Sequence, residues 1–230
     1  MTISRRGVLT AFAALAGLGL SGCTSLSGSS SNVLGYAFGS NLTSMYGPLE
    51  DNGRVVPAIS SSVLQERNVR RQVAWTGKEK PGTIVVDPEN HYLFLVEEGG
   101  TARRYGIGVG KEGFAFSGTT TIKRKADWPG WTPTGNMIRR DPERYGPYAG
   151  GVPGGLNNPL GARALYLYRG GKDTHFRIHG TNEPHTIGRS MSSGCIRMMN
   201  QDVIDLEQRV PVGTTVVVRR GALKDGGLTA

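Results

Sequence analysis

The chain has 230 residues, a formal net charge of +9, 35 glycines, 7% aromatic side chains and two cysteines. That length holds one domain, or one domain with an N-terminal extension, and is enough to bury a core. Glycine abundance favours many turns and short strands over a helical bundle. The basic residues are scattered rather than striped, which argues against nucleic acid and suits polyanionic surroundings such as lipid headgroups, wall polymers or carboxylate-ended peptides.

In chain order, Arg5 and Arg6 precede an apolar run over 8–20 that closes on Leu20, Ser21, Gly22 and Cys23. The run is too short for a membrane span and reads as an export signal over residues 1–22. Ser4-Arg5-Arg6-Gly7-Val8-Leu9 resembles the twin-arginine export motif, with Val8 where a bulkier aromatic is common, and general secretion is the alternative route. Leu20-Ser21-Gly22-Cys23 resembles the bacterial lipobox, which implies a lipidated Cys23 as first mature residue and stable membrane anchoring. Thr24 stands where inner-membrane lipoproteins often carry Asp, so the resemblance implies the periplasmic side of an outer membrane. Losing residues 1–22 removes two arginines and no acid, lowering the charge from +9 to +7. Cys195 is then the sole thiol, and a free thiol in an oxidising compartment is either buried or used.

Residues 23–32 are a Ser/Gly-rich tether, and 33–79 form an N-terminal extension in which 63–75 reads as a helix followed by a strand. The main domain spans 80–221, before a tail over 222–230. Within it, 83–87 and 91–96 predict a hairpin turning at Pro88, Glu89 and Asn90. Strands are expected over 103–109, 119–126, 164–169 and 175–179, the last two pairing around Gly170 and Gly171. One helix is expected from a cap at Asn200 to about Val210, and 214–219 closes the sheet. The pattern predicts a mainly β, sandwich-like fold of mixed sheets with one or two short helices. Two loops stand apart: 127–133 holds Trp128 and Trp131 among prolines, and 150–161 is too rich in glycine and proline for regular structure. Such loops either shape a cleft or cover a sheet edge.

Three histidines, His175, His179 and His185, crowd toward Cys195. A cysteine needs a base to react at neutral pH, and histidine is the usual one. As a strand, 175–179 would put His175, Arg177 and His179 on one face. Residues 192–195 read as a turn in which Gly194 frees the backbone. Taken singly, a cysteine or histidine is more often structural, and His91 is read so.

His179-Gly180-Thr181, followed sixteen positions after the histidine by Cys195 within Ser192-Ser193-Gly194-Cys195-Ile196-Arg197-Met198, resembles the signature of L,D-transpeptidases with a YkuD-like catalytic domain. The resemblance extends to 81–87, to Trp128-Pro129 and Trp131-Thr132-Pro133, and to Asn158-Pro159-Leu160-Gly161. It implies a cysteine acyltransferase acting on peptidoglycan stem peptides without a cofactor or metal. Cys195 is the implied nucleophile and His179 the general base and acid. Ser193 stands where many relatives have histidine, and it and Gly194 belong to the oxyanion loop. Arg197, Ser192 and Gly180 are implied to bind substrate or brace that loop, while His185 matches no required position. The implied reaction releases D-Ala and forms a 3-3 crosslink; water, a free D-amino acid or an outer-membrane protein are alternative acceptors, giving carboxypeptidase, exchange or attachment activity. A zinc hydrolase using His175, His179, His185 and Cys195 and a non-catalytic wall-binding lipoprotein are the readings from other classes.

Overall fold

A computed structural model describes residues 42, 44–110, 116–191 and 195–220. The export signal, the tether with Cys23, the tail over 222–230, and Ser192, Ser193 and Gly194 lie outside the described residues. Among the described residues, eleven strands join one mixed sheet. β4 (Ile84–Asp87) and β5 (Tyr92–Glu97) form the expected antiparallel hairpin, Ile84 facing Leu95. The Asp87 carboxylate holds its turn, accepting from the Asn90 amide at 3.1 Å and the Asn90 side chain at 2.8 Å. Their apolar residues are buried on both faces, as in a sheet covered on both sides.

Closure of the sheet follows from a single continuous stretch of chain. β6 (Thr101–Gly106) pairs β5 near one end of the strand order, whereas β7 (Gly108–Gly110) lies near the other end. Only Ile107 separates them, so the two ends of the ladder must meet and the sheet folds back on itself. Ile107, Leu93, Ile122, Leu165, Ile178 and Val216 fill the interior, joined by Val203 and Leu206 of the C-terminal helix. Val85, Phe94 and Val96 pack on the other face beneath Trp75.

β8 (Gly118–Asp127), β9 (Arg163–Arg169) and β10 (Lys172–His179) run antiparallel in succession. The strand expected to close the sheet, β13 (Thr215–Val218), instead lies in its interior, antiparallel to β8 and parallel to β4. Its valines are apolar enough for a central position, and nothing in their pattern distinguishes centre from edge. Two short helices were not expected: α1 (Gly135–Arg140) and α2 (Pro142–Tyr145). They are set by their caps, Thr134 accepting from Met137 N and Asp141 from Arg144 N, with Pro142 in the first turn.

The described part of the extension packs into this body. Its expected helix is only the 3-10 turn Glu66–Asn68, and its strand is β3 (Arg71–Ala74), the edge partner of β6. Two further strands, β1 (Leu49–Asp51) and β2 (Arg54–Val56), form a separate hairpin. Asp51 at its corner meets Arg163 through paired bonds of 2.6 and 2.7 Å and accepts from Trp128 Nε1 at 2.8 Å. Arg163 holds the Asp51 carboxyl below the usual carboxylate range. Trp128 is thereby a packing residue, buried with Val56, Ala162 and Ile204. Asn68 fits against Gly106 and Gly188, where an added Cβ would come within 2.7 and 2.8 Å of it, and donates to the Ile187 carbonyl at 3.1 Å.

Removing one partner of a buried charge pair strands the other. Arg163 keeps Asp127 at 3.2 Å and Glu207 at 3.6 Å, so Asp51→Ala is expected to cost about 3 kcal/mol, the low end for such pairs. Urea unfolding measures it, and a loss under about 1 kcal/mol, the scale of a surface pair, would show that the hairpin is not anchored this way.

Candidate active site

β10 runs parallel to the short strand β12 (Ile196–Arg197), with Ile178 beside Ile196 and His179 beside Arg197. Ile178 and Ile196 both enter the main core. Alternation then turns Arg177, His179, Cys195 and Arg197 to the opposite face. Cys195 continues the ladder at the head of β12, its carbonyl accepting from Gly110 N at 3.4 Å. Cys195 thus sits one diagonal step from His179, about 8 Å between Cα atoms at normal strand spacing and rise. Its thiol is half-buried, with Sγ 4.0 Å from the His175 carbonyl oxygen.

The expectation that His175 shares this face fails. β10 shifts register between Asp173 and Arg177, and His175 takes a positive φ of 61° inside the bulge, with its side chain exposed. Asp173 makes the bulge by accepting from His175 N at 2.8 Å while pairing both oxygens with Arg177 at 2.7 Å. Arg177 also stacks on Tyr166, 4.3 Å from the ring centre. An aspartate two residues before the bulge was the available signal, since Asp bonds its own backbone two residues on.

His179 is 4% exposed. Its Nδ1 lies 2.6 Å from the Gly180 carbonyl oxygen. A carbonyl only accepts, so Nδ1 carries the proton and Nε2 is left with its lone pair. Burial, and then the nearby positive charge of Arg197 and Arg177, lowers the His179 pKa from 6.5 to about 3. The resting ring is therefore a neutral imidazole of defined tautomer, suited to taking a proton at Nε2 and giving it back.

Asn200 does not cap the helix α3 (Asn200–Arg209), whose N-cap is Met199. Its buried side chain reaches back instead: Oδ1 accepts from Ala162 N at 2.9 Å and Thr181 N at 3.2 Å, and Nδ2 donates to the Thr181 carbonyl at 3.0 Å. Gly161 and Gly180 make room for it, since an added Cβ on either would stand 2.2 Å from Asn200 Oδ1. Neither Asn200 nor Gly161 was read as part of the site.

Arg197 pairs with Glu183 at 3.3 Å, which fits the loop-bracing role and leaves substrate binding open as a second use. The two distinctive loops meet as a pair, Trp131 and Val152 exchanging backbone bonds of 2.9 and 2.7 Å. Buried Asn158 ties the second loop together, donating to the Val152 and Pro153 carbonyls at 3.0 Å and accepting from Leu160 N at 2.8 Å. Trp131 groups with Tyr145 and exposed Tyr148 near 6 Å. His185 is exposed on the 3-10 turn Pro184–Thr186, and His91 meets Ser190 Oγ at 3.1 Å. Among the described residues, no three His, Cys, Asp or Glu side chains are grouped to hold a metal.

A family model described as the L,D-transpeptidase catalytic domain, YkuD, matches residues 81–218. The probable L,D-transpeptidase ErfK/SrfK of Escherichia coli (strain K12) is 36% identical over 141 residues, 60% of this chain and 44% of that protein. The probable L,D-transpeptidase YbiS of the same strain is 33% identical over 151 residues, 65% of this chain and 48% of that protein. The chain spans less than half the length of these curated relatives. A solved structure from Brucella melitensis, titled a probable carnitine operon oxidoreductase caia, is 56% identical, covering 66% of this chain and 93% of that one with a TM-score of 0.46. An L,D-transpeptidase structure from Mycobacterium smegmatis is 20% identical, covering 60% and 58%, with a TM-score of 0.42.

The depressed His179 pKa ties stability to pH. The unfolded chain takes up a proton at this residue as pH falls through 6.5, while the folded chain refuses it until about pH 3. Stability is thus complete above pH 6.5 and declines as pH falls through that window. Denaturant unfolding at pH 7 and pH 4 is expected to show the wild type losing about 3 kcal/mol more than His179→Gln. Parallel losses would mean that the ring is protonated at an ordinary pH.

Proposed function

Because the chain belongs to the YkuD family of L,D-transpeptidase catalytic domains, we propose that it is a peptidoglycan L,D-transpeptidase working through a thioester on Cys195. His179 Nε2 takes the thiol proton as Sγ bonds to the carbonyl carbon of the third residue of a donor stem tetrapeptide. The carbonyl electrons move to oxygen, and backbone amides around Gly194 and Cys195 stabilise that oxyanion, each worth roughly 3 kcal/mol. As the carbonyl re-forms, the bond to the terminal D-Ala nitrogen breaks and the imidazolium gives that nitrogen its proton. A side-chain amine of a diamino acid on a neighbouring stem then attacks the thioester, losing its proton to His179 while the sulfur departs and is reprotonated. The product is a 3-3 crosslink.

The observation that most supports this reading is the 2.6 Å contact between His179 Nδ1 and the Gly180 carbonyl. It leaves Nε2 as the proton acceptor on a strand adjacent to the cysteine. Arg197, close enough to bias His179 and braced by Glu183, is suited to holding a stem carboxylate. Water or a protein amine in place of the stem amine would give a carboxypeptidase or a protein-attachment enzyme by the same thioester.

Incubation with defined muropeptides tests this by mass analysis of protein and products. The expected results are a D-Ala-depleted acyl adduct on Cys195 and a crosslinked dimer, the dimer forming at least roughly a thousand-fold more slowly in a folded Cys195→Ala variant. Imipenem is expected to acylate the same thiol. Retained turnover in Cys195→Ala, or an adduct elsewhere, would refute the assignment.

The site belongs beside the wall, and the lipobox-like Leu20-Ser21-Gly22-Cys23 supports export and lipid anchoring at Cys23 on the periplasmic side of the outer membrane. Two acyl groups beyond the first are more than stable anchoring needs. In fractionated cells the wild type is then expected with membranes and Cys23→Ala in the soluble periplasmic fraction; co-fractionation of both with membranes would argue against the anchor.

A further inference from the structure

We propose that Asn200 is a positioning residue for the base, fixing which nitrogen of His179 carries the proton. This rests on His179 serving as base to Cys195. The carbonyl that receives His179 Nδ1–H is that of Gly180, and the amide donating to Asn200 Oδ1 is that of Thr181. These are the two ends of one peptide group. The peptide bond is planar and trans, so its C=O and N–H point in opposite directions. Holding the Thr181 N–H against Asn200 therefore aims the Gly180 oxygen the other way, at the imidazole.

The hold on the Thr181 end of that peptide group is part of a larger clasp. Asn200 grips the same residue twice, accepting from Thr181 N and donating to Thr181 O, and is itself held by the Ala162 amide. The orientation of its amide is determined by these partners, because a flipped side chain would oppose NH2 to two backbone N–H groups. It is 7% exposed, so water does not substitute readily. The glycines at 161 and 180 follow from its presence, as any Cβ there would collide with Oδ1 at 2.2 Å. With the peptide free to rotate, Nδ1–H loses its fixed acceptor, and the alternative tautomer places the proton on Nε2, where it blocks uptake of the thiol proton.

The test pairs two variants with two measurements. Nitrogen NMR of histidine-labelled protein reads the His179 tautomer, and the rate of Cys195 acylation by imipenem reads the consequence. Asn200→Leu removes all three bonds; it is expected to populate the Nε2–H tautomer and to slow acylation on the order of a hundred-fold. Asn200→Asp keeps an acceptor for both amides and is expected to keep the Nδ1–H tautomer, while its carboxylate moves the His179 titration to higher pH. A folded Asn200→Leu with a pure Nδ1–H tautomer, or slowed acylation with the tautomer unchanged, overturns the proposal and leaves Asn200 a structural residue. Should Asn200→Leu not fold, an Asn200→Asp variant whose His179 tautomer is mixed or whose titration is unmoved overturns it equally. His179→Gln is the separate control: acylation at the wild-type rate there would fault the base assignment itself, whereas the tautomer measurement on Asn200 variants is read without reference to activity.

Discussion

The parallel pairing of β10 with β12 is the constraint from which the site follows. Parallel neighbours cannot be joined by a tight turn, because the chain must travel back along the strand before running beside it again; a dozen or more residues are needed. Here the connection runs from residue 180 to 195, and it carries the Pro184–Thr186 turn, the strand Ser190–Met191 and the cysteine-bearing segment. The separation between His179 and Cys195 in sequence is thus the length of a crossover. With His179 ending one strand and Cys195 heading the next, the two side chains share the non-core face. Insertion or deletion of one residue within β12 would turn Cys195 toward Ile178 and the core.

That arrangement needs support from behind, and much of it comes from a part of the chain outside the matched residues 81–218. Helix α3 begins at Asn200, and the extension binds the same end of it. Tyr46 and Arg70 reach Asp202 at 3.2 and 3.1 Å, and Gln201 donates to the Gly47 and Pro57 carbonyls at 3.3 and 2.9 Å. Burial outweighs the neighbouring Arg70 in raising the Asp202 pKa to about 7, so this anchor tightens when the carboxyl is ionised against the guanidinium. Beside that anchor, Asp51 of the extension fixes Trp128 and Arg163, the residue that starts β9 and whose carbonyl accepts from Gly180 N at 3.0 Å. Contacts from residues 42–70 therefore brace both the helix that begins at Asn200 and the strand whose first carbonyl holds Gly180 N.

The hairpin strands of the sheet were legible because they are carried by local chemistry. Runs such as Ile84-Val85-Val86 and Tyr92-Leu93-Phe94-Leu95-Val96 have strand propensity and a turn between them, and they pair where expected. The placement of Val216 and Val218 between β8 and β4 was not legible, since strand order depends on long-range closure that no short window encodes. Within the site, Cys195 and His179 stood out by residue type, and Gly180 by its following the histidine. Asn200 was misread for a definite reason: asparagine at the first turn of a helix usually bonds the helix itself, and only the fold shows that two glycine-lined backbone segments lie closer. His175 was misread because alternation was assumed through a bulge. Both errors concern Asn or Asp side chains competing for backbone groups.

The electrostatics impose a last consequence on how such a site can act. His179 is placed to accept a proton, yet burial and the charges of Arg197 and Arg177 oppose an imidazolium there. Asp173 and Glu183 offset the two arginines in part, at 2.7 and 3.3 Å. What they leave uncompensated favours negative charge on this face over positive charge on the ring. An incoming carboxylate, or the oxyanion that forms as sulfur adds to a carbonyl, supplies that negative charge within a few ångströms, where low dielectric makes the interaction strong. In the proposed reaction, proton transfer from Cys195 to His179 then becomes favourable together with substrate binding and bond formation. In that reaction, the same burial that makes His179 a reluctant base at rest ties its protonation to an occupied site.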